Sequence, residues 1–171
     1  MTLDQLIQIM PLARRRAGLF LDAINAAMAE FGIDTPARQA SFLAQVGHES
    51  GQLLYVQELA SGAAYEGRKA LGNNVAGDGI RFKGRGLIQI TGRANYTAAG
   101  AALGLDLVHY PEILEQPAHA ARSAGWFWKT HGLNALADAG DQVAVTRRVN
   151  GGTNGLADRL ALFAVAQKVL S

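Results

Sequence analysis

Apolar residues recur at helical spacing along most of this chain, and one polar stretch interrupts the rhythm. Thr2 with Gln5 has the form of a capping box, so a short first helix is expected to end before Pro11. A second helix is expected from about 13 to 31, with Phe20, Ile24, Ala27, Met28 and Phe31 on one face and Gly32 closing it. Thr35 followed by Pro36 is a cap with proline at the first helical position, which opens a third helix running to about Glu49. Thr91 is placed to cap a helix that stops at Gly104, and Pro117 opens another that carries Trp126 and Trp128. Those tryptophans are two apart and cannot both face the core squarely, so one is expected at a surface or cleft edge. Asp141 starts a helix ending near Asn150, and Asn154 is placed to cap the last one, with Leu160, Phe163, Ala164 and Gln167 as one face. Residues 51–80 are rich in Gly, Asn and Ser and predict a long irregular segment, a feature that is usually functional inside a compact domain. Residues 81–90 predict a short hairpin or extended piece. The expectation is a mainly α fold, one domain over residues 1–171, with no repeat and no separate second domain.

Composition narrows the classes. At 49% hydrophobic and 18% charged residues the chain is globular, and its apolar runs fall far short of a bilayer span, so no stable membrane association is expected. The arginines of the N-terminal segment follow its apolar residues, the reverse of a secretory signal, so synthesis in the cytoplasm with assisted export is expected. With no cysteine, disulfides, thiolate metal sites and cysteine nucleophiles are excluded. Net charge is only +2, yet Arg14–Arg16, Arg81–Arg85 and Arg147–Arg148 are local basic clusters. They suit a solvated surface or an anionic polymer such as the bacterial wall. No zinc-finger or RNA-binding signature accompanies them, so nucleic acid is not the expected partner.

Several chemistries fail on spacing. His48–Glu49 begins like a zinc-protease helix, but Gln52 stands where the second histidine belongs, and His109, His119 and His131 are scattered. Gly84-Arg85-Gly86 begins like a dinucleotide loop, but Gln89 occupies the third glycine's place. No metal and no cofactor are expected.

The polar stretch Lys83–Tyr96, KGRGLIQITGRANY, sets Arg, Gln, Thr, Asn and Tyr around Leu87, Ile88 and Ile90. A groove that grips a neutral, hydroxyl-rich ligand needs that set; a core strand does not. Upstream, Glu49 shares a helical face with Phe42 and Val46. Partial burial and the negative end of the helix would both raise its pKa, so that it could hold a proton for a leaving oxygen. An ordinary solvated end-of-helix glutamate fits the same pattern. Glu58 is nine residues on. In a continuous helix it would lie ~13.5 Å further along, on roughly the opposite face. If the chain turns back at Ser50–Gly51, the two carboxylates can oppose each other, as an inverting glycosidase requires. Glu58 could equally be a solvated loop acid, and Glu66 is a rival for the base.

These residues resemble glycoside hydrolase family 19, of chitinase type, and particularly its phage endolysin branch. The carrying segments are HESG at 48–51, Glu58, GRGLIQITGRANY at 84–96 and VNGGTNGLADR at 149–159. The resemblance implies a lysozyme-like, two-lobed helical fold with a substrate cleft and at most a short β-hairpin. It implies Glu49 as general acid, Glu58 as general base and Thr91 as a holder of the attacking water. It also implies substrate contacts from His48, Gln89, Asn95, Tyr96, Asn150 and Arg159, with Arg159 near a carboxylate. His48 beside the acid is expected to orient rather than to transfer a proton. Thr91 could simply cap its helix. The substrate implied is peptidoglycan glycan strands, with chitin or a non-hydrolytic glycan-binding role as alternatives. A phage enzyme would act as a monomer and wait in the host cytoplasm for a holin-type pore. The chain is shorter than many members and lacks the disulfides common in plant ones, which counts against binding long chitin chains.

Overall fold

A computed structural model describes residues 1–171. Thr2 and Gln5 form the capping box of α1 (Leu3–Ile9), and a 3₁₀ segment, Pro11–Arg15, separates it from α2 (Ala17–Glu30). The helix expected to begin near 13 therefore starts later. Proline at its first position and the bond from Arg16 N to Ala13 O favour the tighter turn there. Phe20, Ile24, Ala27 and Met28 form the buried face of α2. The helix ends in a left-handed Gly32, with Ile33 N donating to Met28 O at 2.8 Å, a Schellman closure that positive φ makes easy for glycine.

Helix α3 (Pro36–Glu49) is the axis of the molecule. The Thr35 hydroxyl caps it, and every residue from Ala40 to Gly47 is buried. Its most extensive partner is α9 (Leu156–Leu170), brought close because Gly47 leaves room for Leu162 and Met10. On the other side α2 packs against α6 (Pro117–Thr130), where Gly125 lies under the Phe31 ring. Trp128 is fully buried, edge-on to Phe42 at 5.4 Å, and donates Nε1–H to Asn134 Oδ1. Trp126 is half-buried, so the two tryptophans divide as their spacing implied.

The remaining helices are α4 (Asp78–Arg81), α5 (Arg93–Leu103), α7 (Leu133–Asp138) and α8 (Gln142–Asn150), the last capped by the Asp141 side chain. Between α3 and α5 the chain is the expected irregular segment, broken only by 3₁₀ turns at 63–65 and 69–71 and by α4. The expected hairpin shrinks to two antiparallel bridges, Gln57 with Arg85 and Arg85 with Ile90. The result is the mainly α, lysozyme-like architecture expected, with a helical body and a loop-rich arm anchored in the core by Leu53, Phe82, Leu87, Ile88 and Ile90.

Three local expectations are corrected. Thr91 does not cap α5. Gly92 holds that position, and the Thr91 hydroxyl donates to Gln89 O at 2.9 Å. Asn154 does not cap α9; Gly155 precedes that helix, and the Asn154 carbonyl accepts from Arg159 Nε at 3.2 Å. The inner face of α9 is Arg159, Leu162 and Ala166 rather than Leu160, Phe163, Ala164 and Gln167. An arginine fixes that face through its partners on α3, where apolar periodicity could not.

Candidate active site

Glu49 is the last residue of α3, and the chain reverses immediately after it. Gly51, Gln52 and Leu53 are consecutive left-handed residues, with φ of 56°, 57° and 67°. For two non-glycines this costs roughly 1–2 kcal/mol each. The turn is held by Ser50 Oγ accepting from Leu53 N at 2.8 Å, by Gln52 Oε1 accepting from Leu12 N at 2.9 Å, and by burial of Leu53. It returns residues 56–58 to pair with 84–86: Glu58 N donates to Gly84 O at 2.8 Å and Gly86 N to Val56 O at 2.9 Å. This is the reversal that the opposed-carboxylate reading required.

Behind Glu49 stands Arg159, 2% exposed. Its Nη2 donates to Glu49 Oε1 at 2.5 Å, its Nη1 to Gln45 Oε1 and its Nε to the Asn154 carbonyl. Arg159 was expected near a carboxylate and in contact with sugar. It holds the proposed acid instead, and its burial keeps it from substrate. Glu49 Oε2 has no hydrogen-bond partner in the protein and is the oxygen left for a ligand. Beside this pair His48 Nδ1 meets Asp158 Oδ2 at 2.6 Å, and its ring lies against Gly155. The sequence neighbours His48 and Glu49 thus meet the neighbours Asp158 and Arg159.

Glu58 is held from two sides. Oε2 accepts from Gly84 N at 3.1 Å, and Oε1 accepts from the Tyr65 hydroxyl at 2.9 Å. Burial first, then the adjacent carboxylate, raises the Tyr65 pKa and keeps this phenol a donor. Tyr65 was missed in the sequence because it lies in the irregular segment, with no motif around it. Glu66, the rival base, spends both oxygens on Gly77 N and Gly79 N at 2.7 and 2.8 Å and staples its own loop.

The sharpest geometric fact is at Gly84. A β-carbon there would lie 2.8 Å from Gln89 Oε1 and 3.3 Å from both Glu58 Oε2 and Thr91 Oγ1. Three side chains singled out in the sequence therefore converge on one point, where any side chain would displace them. Gln89, Thr91 and Asn95 also line a cavity of about 190 Å³ whose wall includes Trp126, Phe127, His131 and Val149. The Phe127 and His131 rings stack at 3.8 Å. That wall suits the apolar faces and acetamido methyl of an aminosugar, and the amides supply paired donors and acceptors. Phe127, His131 and Val149 were not singled out, because only packing shows that one side of α6 is left open.

Tyr96 is corrected. It is wholly buried; its hydroxyl donates to Lys83 O at 2.6 Å and accepts from Arg85 Nη1 at 3.1 Å. Burial pushes its pKa up to about 12. It supports the polar stretch from inside and does not touch ligand. Asn95 is exposed, and its Nδ2 donates to Thr91 O at 2.8 Å. Asn150 is exposed at the end of α8, near Gly152. No group of three metal-ligating side chains is gathered anywhere in the chain.

The family model described as Chitinase class I, glycoside hydrolase family 19, matches residues 22–171. The chain belongs to glycoside hydrolase family 19. A Haemophilus influenzae protein described as containing a family 19 glycosyl hydrolase domain is 32% identical, over 82% of this chain and 84% of its own length. An Arabidopsis thaliana endochitinase is 36% identical over 78% of this chain, which spans only 46% of that relative. Chitinase C of Streptomyces griseus superposes with a TM-score of 0.81 at 25% identity, over 99% of this chain and 76% of its own. A class IV family 19 chitinase from Zea mays gives 0.70 at 27%, covering 90% and 80%. The chain is thus a chitinase-like glycoside hydrolase.

For a family 19 hydrolase, the crowding at Gly84 predicts a separable defect. In Gly84→Ala the new methyl displaces the flexible end of Gln89, which is cheap, and presses on Glu58 and Thr91, which is not. Melting is expected to change by less than the equivalent of ~1 kcal/mol. Glycan cleavage is expected to fall roughly tenfold or more, because small displacements of reacting groups are costly. Calorimetry beside a reducing-end assay checks both.

Proposed function

We propose that this chain cleaves β-1,4-glycosidic bonds of bacterial peptidoglycan with inversion at the anomeric carbon. Glu49 protonates the leaving oxygen through its unoccupied Oε2. Glu58, its carboxylate accepting from Tyr65 and Gly84, takes the proton of a water on the far face of the sugar. Thr91 and Gln89, converging with Glu58 on Gly84, place that water and the adjacent acetamido group. That convergence is the observation that carries the mechanism. The wall as substrate is supported by exposed Arg14, Arg15, Lys69 and Arg147, none of which is in an ion pair. Arg68 lies over the Tyr65 ring at 5.6 Å, on the side of the base. In this reading the protein is a monomeric endolysin, held in the host cytoplasm until a holin-type pore admits it to the wall. Chitin is the second reading, favoured by the relatives described as chitinases.

The test is digestion of purified peptidoglycan and of chitohexaose, with mass spectrometry of the fragments and NMR of the first anomer formed. Fragments ending in reducing N-acetylmuramic acid, released as the inverted α-anomer, are expected. Cleavage of chitohexaose alone would move the assignment to chitin, and a retained anomer would reject the two-carboxylate water mechanism.

A further inference from the structure

The segment that carries Glu58 is clamped from behind by a carboxylate that no sequence motif marks. Glu115 ends the 3₁₀ segment Pro111–Glu115, just before α6. Its Oε1 accepts from Gln57 Nε2 and from Arg85 Nε, both at 2.7 Å. Gln57 and Arg85 are the two residues paired across the antiparallel bridge. Their sequence neighbours Glu58 and Gly84 are bonded to each other twice, once through Glu58 N and once through Glu58 Oε2. Side chains of successive extended residues point to opposite faces. The Glu58 carboxylate therefore lies on one side of the bridge and the Glu115 clamp on the other.

We infer that Glu115 is a positioning residue for Glu58, locking the register of the bridge that aims the base. The inference rests on the reading of Glu58 as base. Arg85 shows how much depends on the clamp. Its side chain is almost wholly buried, and besides Glu115 the guanidinium donates only to the Arg81 carbonyl and the Tyr96 hydroxyl. Without Glu115 it becomes a buried cation with no carboxylate, which is costly, and Gln57 loses its acceptor. Both losses fall on the residues next to Glu58 and Gly84. Glu66 and Asp78 are engaged elsewhere, Glu66 on its loop and Asp78 on Arg93.

The experiment compares Glu115→Ala, Glu115→Gln and Glu58→Gln on peptidoglycan and chitohexaose, with melting curves and amide hydrogen exchange. Glu115→Ala is expected to lower kcat about 10- to 100-fold, the range a misplaced reacting group produces, with KM nearly unchanged. Exchange at the Glu58 and Gly84 amides should quicken. Glu115→Gln still offers one oxygen to both donors but no charge to Arg85, and should recover part of kcat, a rescue that a general loss of folding would not show. Unchanged kcat in a folded Glu115→Ala protein overturns the proposal, as does equal loss in the Ala and Gln variants. Should Glu115→Ala fail to fold, Gln57→Ala, which removes one of the two bonds, gives the same test: a drop in kcat at constant KM supports the clamp, and no drop rejects it. An active Glu58→Gln protein would instead reject the base assignment, a result distinct from failure of the clamp.

Discussion

Glu49→Gln is expected to lose about three orders of magnitude in kcat while keeping its fold, within the 10²–10⁴ that general acid–base catalysis contributes. The amide is nearly isosteric. Its oxygen can still accept from Arg159 Nη2, which now binds Glu49 Oε1, and its NH₂ takes the place of the unpartnered Oε2. The buried guanidinium therefore keeps an acceptor, and the melting temperature should move by little. What disappears is a proton that can be given to a leaving oxygen, since an amide N–H has no useful acidity. Substrate still fits, so KM should stay within a few-fold. Reducing-end release on the preferred glycan, beside a melting curve, measures both. A variant within tenfold of wild type, equally folded, would show that Glu49 is not the acid.

Several helix ends were legible in the sequence because caps are local chemistry. Thr2 with Gln5, Thr35 before Pro36, Gly32 and Asp141 all act where their residue types placed them. Glu49 could be singled out for another reason: an acid on an apolar face and a breaker just after it are visible in a single stretch, whereas the residues around Glu58 fit a solvated loop acid equally well. What stayed hidden depends on contacts across the fold. Helix α9 is apolar nearly all round, so periodicity did not choose its inner face; the ion pair of Arg159 with Glu49 did. Thr91 looks like a helix cap by type, yet the left-handed Gln89 before it turns the hydroxyl to a nearer carbonyl. Tyr96 stands among cleft-type residues but lies on the buried face of α5, and helical phase alone would have shown this once the start at Arg93 was known. Tyr65 and Glu115 act on Glu58 and its neighbours from loops whose sequences carry no period at all.

Arg159→Leu is expected to be the most damaging single change to stability, because Arg159 is shared by three parts of the molecule. It reaches Glu49 and Gln45 on α3 and the Asn154 carbonyl ahead of its own helix, and Gln45 in turn donates to Thr146 on α8 at 3.3 Å. Leucine fills much of the volume and leaves Glu49, Gln45 and the carbonyl without their donor. Breaking a buried ion pair costs about 3–5 kcal/mol. Glu49 keeps some access to water, so the lower end, about 3 kcal/mol, is expected. For a chain of this length that is a fall in Tm of roughly 6–12 °C. Cleavage should fall by about 10² as well, since the carboxylate of the proposed acid loses its only protein hydrogen bond. Arg159→Lys should recover part of the stability and little of the rate, because one ammonium cannot serve three acceptors set in a fork. The double variant Glu49→Gln with Arg159→Leu decides the cause. If the loss is the stranded charge, removing that charge makes the pair of changes cost at least ~1 kcal/mol less than the sum of the singles. Strict additivity would mean that Arg159 acts by filling space, and the place of Glu49 would then have to be explained by the turn at Gly51–Leu53 alone.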